Sequence, residues 1–130
     1  MSLSSLDANV VLRLILNDVP DQTAKAARFV GSSSCYVTDV VVAECVFVLE
    51  KIYKLDRAII KNSLKTLLDI NSVAFSETLI KQTFDLYALQ RTLSFADCYS
   101  VAEANLKESE LITFDRAILK KCSQRAKEPI

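Results

Sequence analysis

Short β-rich apolar stretches alternate along this chain with longer runs whose apolar positions recur at helical spacing. The short stretches predict strands over 2–6, 35–38, 73–76 and 111–114. The longer runs predict helices over roughly 8–17, 20–30, 39–54, 56–69, 77–91, 95–107 and 116–125. Capping residues mark several starts: Thr38 or Asp39 before the third helix, Asp56 before the fourth and Ser76 before the fifth. Strands that alternate with helices favour an α/β fold, a parallel sheet with helices on both faces. One helical run, 40–53, is apolar on nearly all sides, which suits a deep core helix or an interface.

Four acids interrupt this pattern within apolar stretches: Asp7 in SLDANVV, Glu44 in VVVAECV, Asp97 in SFADCYSVA and Asp115 in LITFDRAI. A buried carboxylate without a partner is strongly disfavoured, so each needs donors, a cation or a metal. Asp7 and Asp115 each follow a predicted strand and precede a helix. That places both at the carboxyl edge of the sheet, where open α/β sheets bind ligands. Asp97 begins a helix, and Glu44 lies about two turns into the helix after the second strand. Each has a plainer account. Asp7 and Asp115 suit helix caps, and Ser94 with Asp97 fits a capping box. Glu44 is harder to explain that way. Its helical neighbours Val40, Val41, Phe47 and Val48 are apolar, so it is expected to be largely removed from solvent, whether held by a metal or by a distant Arg.

Gathered in one cleft, such acids repel by about 4 kcal/mol per pair at 4 Å and an effective dielectric of 20. A bound Mg²⁺ or Mn²⁺ reverses that sign, because both ions prefer carboxylate and water oxygens. Phosphodiester hydrolysis is the chemistry that suits such a site, since the ion activates water and histidine is not required.

Composition narrows the alternatives. The chain has 130 residues, 51% hydrophobic and 25% charged, enough for one folded domain that buries roughly two-thirds of its unfolded surface. There is no His, which removes histidine general bases, histidine ligands and Ser-His-Asp triads together. The single glycine, Gly31, cannot build a phosphate-cradling loop. Cys35, Cys45, Cys98 and Cys122 form no CxxC pair and are expected as small buried residues of a reducing cytoplasm. The opening MSLSSLDAN lacks a basic n-region, so no signal peptide is expected, and no apolar run reaches the ~18 residues of a membrane span. Basic and acidic residues balance at 16 each; without the four site acids the balance is 16 to 12, compatible with RNA.

The motifs Ser5-Leu-Asp7-Ala-Asn9-Val-Val-Leu, Ala43-Glu44, Phe95-Ala-Asp97-Cys98 and Leu111-Ile-Thr113-Phe-Asp115 closely resemble those of PIN-domain ribonucleases, and most of all the VapC-type toxins of toxin–antitoxin pairs. The resemblance runs from about Ser4 to Leu119. It implies a single domain over 1–130 with a three-layer α/β/α fold around a four- to five-stranded parallel sheet. It also implies a Mg²⁺- or Mn²⁺-dependent endoribonuclease in which Asp7, Glu44, Asp97 and Asp115 form an acidic metal-binding quartet. Asn9 would support Asp7 through its amide, and Thr113 would offer its hydroxyl to the site or else cap the last helix. A homodimer and an antitoxin partner are expected with it. Two departures stand out. The turn at 107–110 carries Lys-Glu-Ser-Glu where family members usually have a glycine, and 126–130 is only weakly strand-like.

From Arg116 to Lys127 there are five basic residues and no acid, suited to RNA phosphates or to a solvated helix face. Arg57, Lys61 and Lys65 form a second stripe, expected to be solvated. Tyr36, Tyr53, Tyr87 and Tyr99 are candidates for base stacking or for the core. The competing function is a catalytically silent RNA- or protein-binding module on the same fold. A phosphotransfer receiver fits less well, because Asp7 has no acidic neighbour and Thr113-Phe-Asp115 lacks the required Lys.

Overall fold

The computed structural model describes residues 2–130, which fall into two compact units divided after Ser76, the second running over 77–130. The first unit reads β1 (Leu3–Ser5), α1 (Ala8–Leu16), α2 (Pro20–Ser32), β2 (Ser34–Tyr36), α3 (Asp39–Lys51), α4 (Arg57–Leu68) and β3 (Val73–Ala74). The second reads α5 (Glu77–Leu89), α6 (Phe95–Leu106), β4 (Leu111–Ile112), α7 (Arg116–Lys121) and β5 (Ala126–Lys127). The expected α/β class with parallel strands is what the chain adopts, and all seven helical patterns are helices.

In the first unit β1, β2 and β3 pair in parallel and in chain order, with Ser4 opposite Cys35 and Cys35 opposite Val73. Each crossover carries two helices. Right-handed crossovers that step in one direction across a sheet lay their helices on one face. Accordingly α1 packs against both α3 and α4, and α3 packs against α4. The helices bury Val11 and Leu12 from α1, Val42, Cys45, Val46 and Leu49 from α3, and Ile60 and Leu64 from α4. The buried positions of α3 follow i, i+3, i+4, i+7, the stripe of a helix packed on one side.

Local signals set the boundaries. Asn17 ends α1 one residue earlier than the apolar pattern suggests; it takes a left-handed conformation at φ 50° and its N–H reaches the Arg13 carbonyl. Pro20 opens α2 at a position where its missing N–H costs nothing. Thr38 caps α3 by accepting from the Val41 N–H at 3.2 Å.

The second unit is built on α5 against α6. Phe84, Tyr87 and Phe95 form its aromatic centre, with ring centroids 5.0 Å apart for Phe84–Phe95 and 5.6 Å for Tyr87–Phe95. Thr83, fully buried, satisfies its hydroxyl on the Leu79 carbonyl at 2.7 Å. Beyond α6, β4 and β5 pair in parallel, with Leu111 opposite Ala126 and α7 as the crossover.

Two details differ from expectation. The strands were expected in one sheet of four or five, whereas the hydrogen bonds among the described residues form a three-stranded and a two-stranded sheet. The last helical pattern was expected to reach 125, but α7 stops at Lys121 and the chain turns into β5, whose two residues are too few to show strand alternation. The turn at 107–110 explains the missing glycine. Glu108 itself adopts the left-handed conformation, φ 52°, that glycine supplies more cheaply.

Candidate functional site

Three of the four acids stand at helix starts for the reason first weighed against them: each caps its helix. Asp7 is the N-cap of α1, its Oδ1 accepting from the Ala8 N–H at 2.8 Å. Asp97 closes a capping box in α6, accepting from the Ser94 N–H at 3.3 Å while its own N–H donates to Ser94 Oγ at 3.1 Å. Asp115 caps α7 by accepting from the Ile118 N–H at 2.9 Å. Thr113 Oγ1 accepts from the Asp115 N–H at 3.0 Å, holding the turn from β4 into that helix. Asn9, exposed in the first turn of α1, makes no hydrogen bond to Asp7.

Capping engages one oxygen of each aspartate, and a carboxylate has two, with about four lone-pair sites between them. The second oxygen of Asp7, Asp97 and Asp115 takes no hydrogen bond among the described residues. Caps of this kind fix a carboxylate's direction and leave half of it available.

The expectation that these acids are buried is corrected. Asp7, Glu44 and Asp115 are exposed and Asp97 is half-buried, so desolvation does not force a cation on them. Glu44 shows why. Its helix buries Val42, Cys45, Val46 and Leu49, and Glu44 projects from the other side between Val40 and Phe47, which are themselves 67% and 61% exposed. The apolar neighbours of Glu44 are a second, solvent-facing surface, and helical spacing alone does not distinguish one apolar face from the other.

Within the first unit, two of the acids are nonetheless linked by a group that sequence reasoning treated as filler. Cys45 is fully buried where α3 meets the start of α1, its thiol 3.8 Å from the Ala8 carbonyl. Burial, then the charge of Glu44, then that of Asp7 push this thiol from 9.0 up to about 12. Asp7 and Glu44 therefore bear on the same point. The only sequence signal for this was a cysteine next to Glu44 at a core position.

The donor set is all oxygen: four carboxylates, one amide and one hydroxyl. Such donors fit Mg²⁺ or Mn²⁺ and would hold thiophilic ions poorly. Among the described residues, no three His, Cys, Asp or Glu side chains are gathered closely enough to hold a metal ion. Asp7 and Glu44 belong to the first unit, and Asp97 and Asp115 to the second.

The basic stripes separate. Arg57 is paired with Glu50 at 3.6 Å and Lys65 with Asp69 at 3.0 Å, so that stripe is not the purely solvated face expected. Lys127 pairs with Glu110 at 3.1 Å, whereas Arg116, Lys120, Lys121 and Arg125 make no ion pair among the described residues. Of the tyrosines, Tyr87 lies in the aromatic core and Tyr53 donates to Asp18 at 3.3 Å. Among the described residues, no helix is long and apolar enough to cross a membrane.

Comparison with curated proteins finds no match. A family model described as the PIN domain matches residues 5–123, a span that contains all four acids, Asn9 and Thr113. PIN domains are generally nucleases that use divalent metal ions and bind RNA. With parallel strands, capped acids at three helix starts and a match over nearly its whole length, the chain belongs to the PIN-domain family.

Proposed function

We propose that this PIN-domain protein is a Mg²⁺- or Mn²⁺-dependent endoribonuclease and the toxin of a toxin–antitoxin pair. The observation that carries the reading is the state of the acids. All four family-type acids are present in order, and the three aspartates are each oriented by a cap that leaves one oxygen available. Asp7, Glu44, Asp97 and Asp115 would hold the ion, with Asp7 and Asp97 as its direct ligands. When bound, the ion polarises water into a nucleophile at neutral pH and offsets charge at the scissile phosphate. The chain's own groups hold geometry: the Ala8 N–H fixes Asp7, Ser94 and the α6 N-terminus fix Asp97, and Thr113 fixes Asp115, while Asn9 would support the first acid only once a ligand draws its amide in.

Arg116, Lys120, Lys121 and Arg125, without an ion pair among the described residues, suit RNA phosphates. Val40, Phe47 and Ile52, each more than 60% exposed, leave an apolar surface that suits a second copy or an antitoxin. Four free thiols suit a reducing cytoplasm.

A second reading, a silent RNA- or protein-binding module, draws on one observation: no three candidate ligands are gathered among the described residues. The test is cleavage of labelled single-stranded RNA. EDTA should abolish it, Mg²⁺ or Mn²⁺ should restore it, and Asp7→Asn should eliminate it with the fold intact. RNA binding with no cleavage under any metal would establish the silent module instead.

A further inference from the structure

The first unit contains an open cleft of about 620 Å³ that none of the four acids lines. Its size lies within the roughly 300–1,000 Å³ of small-molecule sites. Its walls come from the end of β1, the first turns of α1 and the facing side of α2, among them Ser5, Asn9, Arg13, Gln22, Lys25 and Phe29.

Two features define what it would accept. The first is charge: the lining includes two bases, Arg13 and Lys25, and no acid. Arg13 is already engaged, 3.6 Å from Asp18 and hydrogen-bonded to Gln22 at 2.7 Å. Lys25 is exposed and makes no ion pair among the described residues, so it is the cation left for a ligand. The second is shape. Phe29 is one helical turn beyond Lys25, and side chains at i and i+4 share a face. Its ring, 44% exposed, borders the same cleft as the ammonium. A free cation beside an exposed ring, with amides at Asn9 and Gln22, matches a nucleotide: phosphate on the cation, base on the ring.

We infer that this cleft seats one nucleotide of single-stranded RNA, its base stacked on Phe29 and its phosphate on Lys25. Asn9 borders the cleft and follows Asp7 by two residues in the same helix start, so the seat adjoins the first acid. The inference deepens the nuclease reading and rests on it for the identity of the polymer. A docked protein helix fits less well, because five of the six walls named above are polar or charged at their tips and only Phe29 among them offers a large apolar surface.

The chain has no tryptophan, so Phe29→Trp gives a single-indole protein that reports on the cleft directly. The full chain carrying Phe29→Trp and Asp97→Asn is titrated with a hexauridylate in Mg²⁺. Stacking should quench the indole, and adding Lys25→Gln should lower the slope of log affinity against log salt by about 1. In the active protein, Phe29→Ala should raise KM by at least about fivefold with kcat nearly unchanged. An indole that does not respond to RNA overturns the inference whether or not the chain cleaves RNA. Emission that shifts with protein concentration alone also overturns it, since the cleft then belongs to a second copy. Quenching by RNA in a protein that cleaves nothing would remove the nuclease reading and leave the cleft standing.

Discussion

Ser94 and Asp97 share one capping box, and that makes them a matched pair for separating stability from chemistry. Ser94→Ala removes the hydroxyl that accepts from the Asp97 N–H at 3.1 Å, and with it one satisfied donor at the start of α6. Losing an N-cap oxygen of this kind costs about 1 kcal/mol. Unfolding entropy is about 2.1 cal/mol/K per residue, so this chain of 130 residues gains about 0.27 kcal/mol per kelvin on melting. The cap loss should therefore lower the melting temperature by about 4 °C. Asp97→Asn acts in the opposite sense. Asparagine keeps the size and the acceptor that meets the Ser94 N–H at 3.3 Å, so the melting temperature should stay within about 2 °C. It removes the charge that would bind metal, so cleavage should be lost. The assay is thermal melting and metal-dependent RNA cleavage on both variants, at a temperature well below either melt. Ser94→Ala should melt early and cleave within a few-fold of the parent; Asp97→Asn should melt normally and not cleave. Full activity in Asp97→Asn would refute the claim that this carboxylate does more than cap.

Two further predictions rest on α3. The Cys45 thiol, raised from 9.0 to about 12 in the fold, keeps its proton when the unfolded chain has lost it. The protonated thiol thus contributes stability that is intact below about pH 9 and is lost as pH rises from there towards about 12. Denaturant titrations at pH 8, 9.5 and 10.5 should show that decline, with a smaller slope in Cys45→Ala; an equal slope in both would contradict it. The two faces of the helix should also differ. Leu49→Ala, at a fully buried position, should cost about 2–5 kcal/mol, whereas Phe47→Ala, 61% exposed, should cost under about 0.5 kcal/mol. A comparable loss of melting temperature in Phe47→Ala would show that this face is covered.

The fold was legible because its signals are local. Helical spacing located all seven helices, and the β-rich stretches located the first four strands to within a residue or two at most ends. The fifth strand was not legible, since Ala126 and Lys127 become strand only by pairing with Leu111 and Ile112, a long-range event that two residues cannot announce. The acids were legible as residues but not in their environment. Periodicity shows that Val40, Val41, Phe47 and Val48 surround Glu44; it does not show that the helix turns its other side, Val42 to Leu49, to the core. The link between Asp7 and Glu44 through Cys45 was likewise hidden, because it depends on α3 crossing the start of α1. The cleft beside α2 arises the same way, from residues that are unremarkable until two helices and a strand bring them together.

Glu108 has a consequence for motion. A non-glycine residue held at φ 52° raises the native energy of its turn by about 1 kcal/mol or more, and that turn leads directly into β4. The strand it feeds is two residues long, and the Leu111 and Thr113 amides at its two ends tie it to the β5 segment at 2.7 and 3.0 Å. Few bonds and a strained entry put this segment among the first to open under native conditions, ahead of the α5–α6 pair. Thr113 and Asp115 ride on that segment. The last of the four acids is thus mounted on one of the chain's least rigid supports, and a ligand that engages Asp115 must draw part of its binding energy into holding β4 closed.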